Sequence, residues 1–383
     1  MNPGTIPSTR LVYHPVSGNI VFPQSLKMQN ARLTHFYFEG NKTLLEKFCT
    51  EWFNQTSAGA LKLKPVSNTV VFTFYNLSCS LGNCTGYREK REVCDETQCS
   101  IAYLRDNDGS ILAGLKYNEV SFSFLVEDEM HRHYFFSPFR LTDDGIAMAN
   151  YREAFGFPDA FGEVRDLRMH ASEFSHGGTS REFCIERSCA CAKGGVWLCC
   201  KSHLPQFDDG TVDVSKNFTY PSTRIFWIEN EPDTSGSRLP SWRSRAEMGA
   251  SLPLFLSDKL PEGRSVLQHR KNCFNLSEMV WMAGKRVSLI QYRKSIGGPD
   301  AIYQAALVFG ASNVNIHGGG ELAGKFSLHF HDREGTYLND LAFARDFGLI
   351  SDESRIAKAA VWVECDFELE PSHYLWVNRA ANE

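Results

Sequence analysis

Cysteine, histidine and carboxylate side chains carry the chemistry this chain could perform, and the cysteines are spaced most suggestively. There are twelve of them in 383 residues, many for a cytosolic protein and few for a disulfide-stapled miniprotein. Four nest, because the pairs Cys79/Cys99 and Cys84/Cys94 share a midpoint near Glu89. On a hairpin centred there they would be two facing pairs, roughly 4.5–5.5 Å apart at Cβ, which suits a disulfide. Free thiols and a zinc site are the rival readings, and the C-x(2–4)-C zinc spacing is met only at its upper limit, twice. Cys184, Cys189, Cys191, Cys199 and Cys200 show no such nesting. His329 and His331 share a strand face, but two ligands without a third define no metal centre. No G-x-S-x-G, H-E-x-x-H or dinucleotide fingerprint occurs. Gly318-Gly319-Gly320 lacks the Lys-Ser/Thr of a phosphate loop and reads as a strand-breaking turn, with His317 beside it. Neither a metal nor a cofactor is expected.

The elements that would position these groups are mostly strands. Val70–Tyr75 and Val120–Val126 are strong strand patterns. In the second, Val120, Phe122, Phe124 and Val126 share one face, opposite Glu119, Ser121, Ser123 and Leu125. Arg286–Arg293, Phe326–His331 and Ala359–Leu369 also read as strands, and Pro299–Val308 as strand or helix. Leu44, Leu45, Phe48 and Trp52 recur at helical intervals within Thr43–Phe53. Asp143–Phe161 reads as loop, a short helix around Asn150–Phe155, and a Gly/Pro turn. His131-Arg132-His133 fits a solvated hairpin. Residues 201–248 are polar and look like a surface excursion. This succession suits one curved or barrel-like sheet with insertions.

Composition bounds the function. Apolar residues make up 43% and charged residues 22%, the balance of a chain that buries a core. The net charge of −5 argues against a nucleic-acid partner, and no apolar run approaches the roughly 20 residues of a membrane-spanning helix. Six N-x-S/T sequons, at Asn41, Asn54, Asn76, Asn83, Asn217 and Asn275, tilt the expected location slightly towards the secretory pathway. Against that, Met-Asn-Pro-Gly-Thr-Ile-Pro contains no apolar signal core, which suits a cytoplasmic protein unless a signal was removed.

One stretch carries a family resemblance. Asp144–Gly162 reads D-G-I-A-M-A-N-Y-R-E-A-F-G-F-P-D-A-F-G. It resembles the central signature of the acetoacetate decarboxylase superfamily, where Gly-Arg-Glu leads into an aromatic-Pro-Lys-Lys turn ending in Gly. Arg152-Glu153, Phe157-Pro158 and Gly162 match, with Tyr151 where the family has Gly. Tyr117-Asn118-Glu119 before the Val120 strand resembles the family's Tyr-x-Glu strand start. Ser288–Arg293 with Ile302–Ala305, and then Gly318–Gly320, Leu338–Leu341 and the strand after Ile350, resemble blocks of larger relatives in the same order. The resemblance spans roughly residues 31–370. It implies an α+β fold, mainly antiparallel β: an acetoacetate decarboxylase-like cone or barrel with short helices and insertions at about 77–114 and 201–248. An N-terminal arm (1–30) and a C-terminal tail (371–383) would flank that single domain.

In the family, the first lysine of the turn attacks a ketone and forms a Schiff base, a better electron sink than the ketone itself. Here the two lysine positions fall on Asp159 and Ala160, and aspartate cannot form an imine. Lys116, three residues before Glu119, faces the other way on a strand. The resemblance therefore implies the pocket without the covalent step. The candidate catalytic residues are Glu119, Asp159 and Arg152, with Arg32, Tyr151, Glu153 and Phe157 as substrate-binding candidates. A carboxyl in an apolar pocket has a raised pKa and can move protons near neutral pH. The expected partner is a small carbonyl substrate, β-keto or polyketide-like, undergoing decarboxylation, dehydration, isomerisation or cyclisation. The alternative is an inactive small-molecule binder, a secreted glycoprotein in one version. Neither a nucleic acid nor a membrane is expected as partner, and a homo-oligomer is left open.

Overall fold

The computed structural model describes residues 26–80, 114–157, 159–166, 196–202, 223–231, 241–259, 284–293, 301–322, 324–330 and 355–379, some of them, Asp159 included, only as backbone. The N-terminal half of the sheet comes from β1 (Leu26–Glu39), β2 (Lys64–Ser80), β3 (Gly114–Glu127), β4 (His133–Thr142), β5 (Asp159–Asp166), β6 (Val196–Ser202) and β7 (Thr223–Glu231). The rest comes from β8 (Ser241–Trp242), β9 (Arg286–Arg293), β10 (Ala301–Phe309), β11 (Ala311–Glu321), β12 (Lys325–Phe330), β13 (Ala359–Leu369) and β14 (His373–Arg379). They join in the order β12-β7-β6-β5-β4-β3-β2-β1-β13-β11-β8. The ladders are antiparallel except where the sheet forks at β4. Its first residues pair in parallel with β9 (Phe135↔Arg286), and its last pair in parallel with β5 (Arg140↔Asp159). Beyond β9 lie β10 and β14.

Both faces of the central strands are buried, so alternation sorts residues between two cores rather than between core and solvent. On one face Phe36, Phe72, Phe122 and Phe139 stand in register across β1–β4. Helix α1 (Lys42–Cys49), capped by the Asn41 side chain on Leu44 N–H, and the π turn Thr50–Gln55 cover this face. Phe53 packs edge-on against Phe136 at 4.6 Å, and Phe48 stacks on Trp52 at 5.3 Å. The second core holds Leu33, Tyr37, Tyr117, Trp242 and Phe309, with Met248, Leu252 and Leu256 from α3 (Arg245–Lys259).

Several sequence expectations are corrected. Gly318–Gly320 do not break a strand but lie inside β11. A Cβ on Gly319 would sit 2.9 Å from the Trp362 carbonyl oxygen and 3.2 Å from the Trp242 ring, so glycine lets the indole press against the strand. The polar stretch 201–248 is not wholly a surface excursion, since β7 and β8 belong to the sheet. The first strand already begins at Leu26, and His373–Arg379 is a strand paired with β10 rather than a tail. Cys79 sits between Met28 and Leu115 in its two ladders. Cys84, Cys94, Cys99, Cys184, Cys189, Cys191, His331 and Leu338–Leu341 lie outside the described residues, as do the sequons at Asn83, Asn217 and Asn275. Asn54 uses its amide on both backbone groups of Leu63, and Asn76 donates to Asn118 at 2.7 Å, so both amides have structural work. No described helix is long and apolar enough to cross a membrane.

Candidate active site

Asp143 and Asp144 end β4 and start the segment that builds the site. The Asp144 side chain accepts from Ala147 N–H at 2.7 Å and caps α2 (Gly145–Asn150). The helix widens into a π turn, Tyr151–Phe155, a form that often marks functional sites. The turn points Tyr151 and Phe155 inward and leaves Arg152, Glu153 and Ala154 in solvent. It stops at Gly156, whose φ of +66° favours glycine and where an added Cβ would sit 3.0 Å from Ile290 Cβ. Ser288 Oγ donates to the Phe155 carbonyl and ties the turn to β9.

Against this turn stands a polar row. His35, Thr73, Ser121 and Arg140 are in register across β1–β4, and the backbone of Asp159 continues the row on β5. The next row places Tyr75 beside Glu119 and Glu119 beside Thr142. Glu119 is 1% exposed and Arg140 6%. Arg140 Nη2 donates to Glu119 Oε1 in a buried ion pair. The Arg140 guanidinium lies against two rings, 3.4 Å from the Phe157 centroid and 4.9 Å from that of Tyr151. Burial raises the Glu119 carboxyl above its ordinary range, against the opposing pull of Arg140. Oε2 of Glu119 is buried and has no hydrogen-bond partner among the described residues.

These groups line one small pocket. Tyr75, Glu119, Arg140, Tyr151 and Arg286 are its polar members. Met28, Leu77, Phe157, Phe309, Phe367 and Leu369 form its apolar wall. Contributions from β1–β4, β9, β10 and β13 to one small pocket mean that the sheet curls around it. Arg286 is 2% exposed, and burial lowers its pKa. His35 is fully buried, and its Nδ1 lies 2.9 Å from Thr73 Oγ1. Burial first, and the Arg286 charge second, push the imidazole down to about 3, so it is neutral.

Of the residues singled out in the sequence, Glu119, Tyr151 and Phe157 meet in this pocket. Arg152 and Glu153 are exposed on the outer side of the π turn. Arg32 is half-buried, pairs with Glu364 at 3.0 Å and lies over Trp362, away from the pocket lining. Asp159 is opposite Arg140 in the ladder, and its side chain is outside the described residues. Among the described residues no lysine lines the pocket, and Lys116 is exposed. His317 pairs with Asp366 at 2.8 Å on a half-exposed surface. Among the described residues no group of three His, Cys, Asp or Glu could hold a metal. Sequence reasoning missed Arg140 and Arg286. The available signal was a lone arginine inside an apolar strand, as in Ser137-Pro138-Phe139-Arg140-Leu141.

Neither a family model nor a curated protein matches the sequence. Solved structures do match the fold. Acetoacetate decarboxylase from Legionella pneumophila subsp. pneumophila str. Philadelphia 1 superposes with a TM-score of 0.50 at 10% identity, covering 97% of this chain and 95% of that one. This is the acetoacetate decarboxylase fold. At that identity the likeness is one of architecture: a mostly antiparallel sheet with a few short helices. Two further matches are an acetoacetate decarboxylase-like enzyme from Sphingomonas wittichii RW1 (TM-score 0.45, 11% identity, 92% and 94% covered) and the enduracididine biosynthesis enzyme MppR complexed with pyruvate (0.45, 11%, 94% and 93%).

Proposed function

We propose that the protein is an enzyme that moves protons on a small carbonyl compound in an acetoacetate decarboxylase-like pocket, without a Schiff base. One observation carries the reading: a fully buried carboxyl whose Oε1 is fixed by Arg140 while Oε2 has no partner among the described residues. A carboxyl held this way has a pKa lifted towards neutrality and one oxygen positioned for transfer. Glu119 Oε2 takes a proton from carbon next to the carbonyl, leaving an enolate, and returns it at another position. Arg140 and Arg286 place positive charge beside the oxygen that gains negative charge, in a dry site where the attraction is strong. Asp159 is assigned the second carboxyl role from its ladder position beside Arg140. Isomerisation, dehydration, cyclisation and the protonation that ends a decarboxylation all need this step. The aromatic wall and the buried positive charges suit a β-keto or short polyketide-like substrate.

Borohydride trapping with β-keto acids, read by intact mass, tests the absence of covalent capture: no adduct is expected, and a trapped lysine would overturn the reading. Turnover of candidate β-keto and polyketide-like compounds by Glu119→Gln and Asp159→Asn tests the proton transfer. Loss of about 10²–10⁴-fold is expected for Glu119→Gln. Unchanged turnover in Glu119→Gln would overturn the proton-transfer role, whereas a ligand bound with unchanged affinity by both variants, with no turnover in the parent protein, would favour a small-molecule binder.

A further inference from the structure

We infer that Asn118 is a positioning residue that fixes Glu119 relative to the aromatic wall which Tyr151 and Phe157 bring to the pocket. The inference rests on the acid–base reading above and adds a residue that acts through Glu119 without touching the ligand. Asn118 precedes Glu119 on β3, so its side chain leaves the opposite face of the sheet, and it does not line the pocket. Its backbone N–H donates to Asp143 Oδ1 at 2.7 Å, and its Nδ2 donates to Asp143 Oδ2 at 2.8 Å. In return the Asp143 N–H donates to the Asn118 carbonyl at 3.1 Å, and the Thr142 hydroxyl donates to the same carbonyl at 3.3 Å. A carboxylate gripped through both oxygens makes a charge-assisted, directional link. Asn118 Nδ2 also donates to the Val164 carbonyl of β5 at 3.3 Å, and its Oδ1 accepts from Asn76 of β2 at 2.7 Å. The segment carrying α2 and the π turn starts at Asp143 and runs into β5. Asn118 therefore ties both ends of that segment to the residue next to Glu119. On the pocket face Arg140 completes the frame, paired with Glu119 and lying against the rings of Tyr151 and Phe157. The primary amide suits this place because it offers two donors and an acceptor at once. Alanine offers none, and aspartate would set a second carboxylate against Asp143.

The test follows solvent exchange of the α-hydrogens of ethyl acetoacetate by the full-length protein, with kcat and KM measured separately below each variant's unfolding transition. Asn118→Ala should lower kcat about 10²-fold with KM little changed, the loss expected when a proton-transfer group is displaced by about 1 Å. Asn54→Ala is the control. It removes a comparable clasp, the two bonds to the Leu63 backbone, away from the pocket lining. It should lower the unfolding midpoint and leave kcat at the parent value. Asp143→Asn leaves one acceptor oxygen for two donors and should lower kcat about tenfold. Adding Asn118→Asp to that variant restores a donor opposite an acceptor and should recover most of the loss; this pair decides the matter if Asn118→Ala does not fold. Parental kcat in Asn118→Ala overturns the inference. So does an equal kcat loss in Asn54→Ala, which would mark a merely structural effect, or no recovery in the paired exchange. If Glu119→Gln lacks exchange while Asn118→Ala keeps the parental kcat, the acid–base reading stands and the positioning inference falls. Absence of exchange in the parent protein overturns both.

Discussion

The two faces of strands β1–β4 are one residue apart in sequence and opposite in chemistry. On one face Phe36, Phe72, Phe122 and Phe139 are in register; on the other, His35, Thr73, Ser121 and Arg140 are. Both rows are largely shielded from water, so burial alone does not distinguish them. The aromatic row is filled by ring contacts such as Phe72 on Phe122 at 4.8 Å. The polar row is held by directional bonds and an ion pair, and it borders a pocket. The contrast teaches a division of labour: one face supplies cohesion, and the same backbone then holds charged groups rigidly on the other. A buried polar group that hydrogen bonds do not fully satisfy is expensive, and Glu119 Oε2 is one that borders the pocket.

That division can be broken from either side. Phe122→Ala should cost about 3–5 kcal/mol of stability, whereas Ser121→Ala, its neighbour on the pocket face, should cost about 1 kcal/mol; urea unfolding compares them. Arg140→Met alone should cost about 3 kcal/mol because it strands the Glu119 carboxyl. Most of that loss should disappear in the Glu119→Gln background, as a double-mutant cycle would show. The polar face should also fail in acid while the aromatic face cannot titrate. His35 is depressed to about 3 against 6.5 in the unfolded chain. The unfolded state therefore binds the extra proton first, and the contribution is fully present above pH 6.5 and lost as pH falls. Between pH 6.5 and 4.5 the protein should lose about 2 kcal/mol through this group, and His35→Gln should remove that slope. Gly156→Ala should cost about 1–3 kcal/mol by straining the left-handed turn that seats Phe157, with a larger effect on ligand binding than its stability loss alone would give.

Much of the framework was legible. Alternation in Val120–Val126 separates the two faces in the sequence itself, because a strand's period of two is local information. The signature around Arg152-Glu153 and Phe157-Pro158 led to the right segment. The π turn then decided which of its side chains point inward: Tyr151 and Phe155 do, Arg152 and Glu153 do not. Arg140 had a local signal, a lone arginine inside an apolar strand, but Arg286 was not legible, since it reaches the pocket through the fork at β4, a pairing between strands about 150 residues apart that no local pattern encodes. Arg32 was drawn to the site by its place in the first strand, but on the strand it faces Glu364 and Trp362 instead. The triple glycine was read as a turn because glycine usually breaks strands; here the missing side chains admit Trp242.

Deuterium incorporation from heavy water into the α-position of small β-dicarbonyl compounds, followed by proton NMR, reads proton transfer without requiring the natural product to be known. Catalysed exchange by the parent protein that falls about 10²–10⁴-fold in Glu119→Gln, with fold and unfolding midpoint retained, is the outcome expected of a pocket built around that carboxyl. Exchange that persists undiminished in Glu119→Gln, or that proceeds through a lysine adduct, would contradict it.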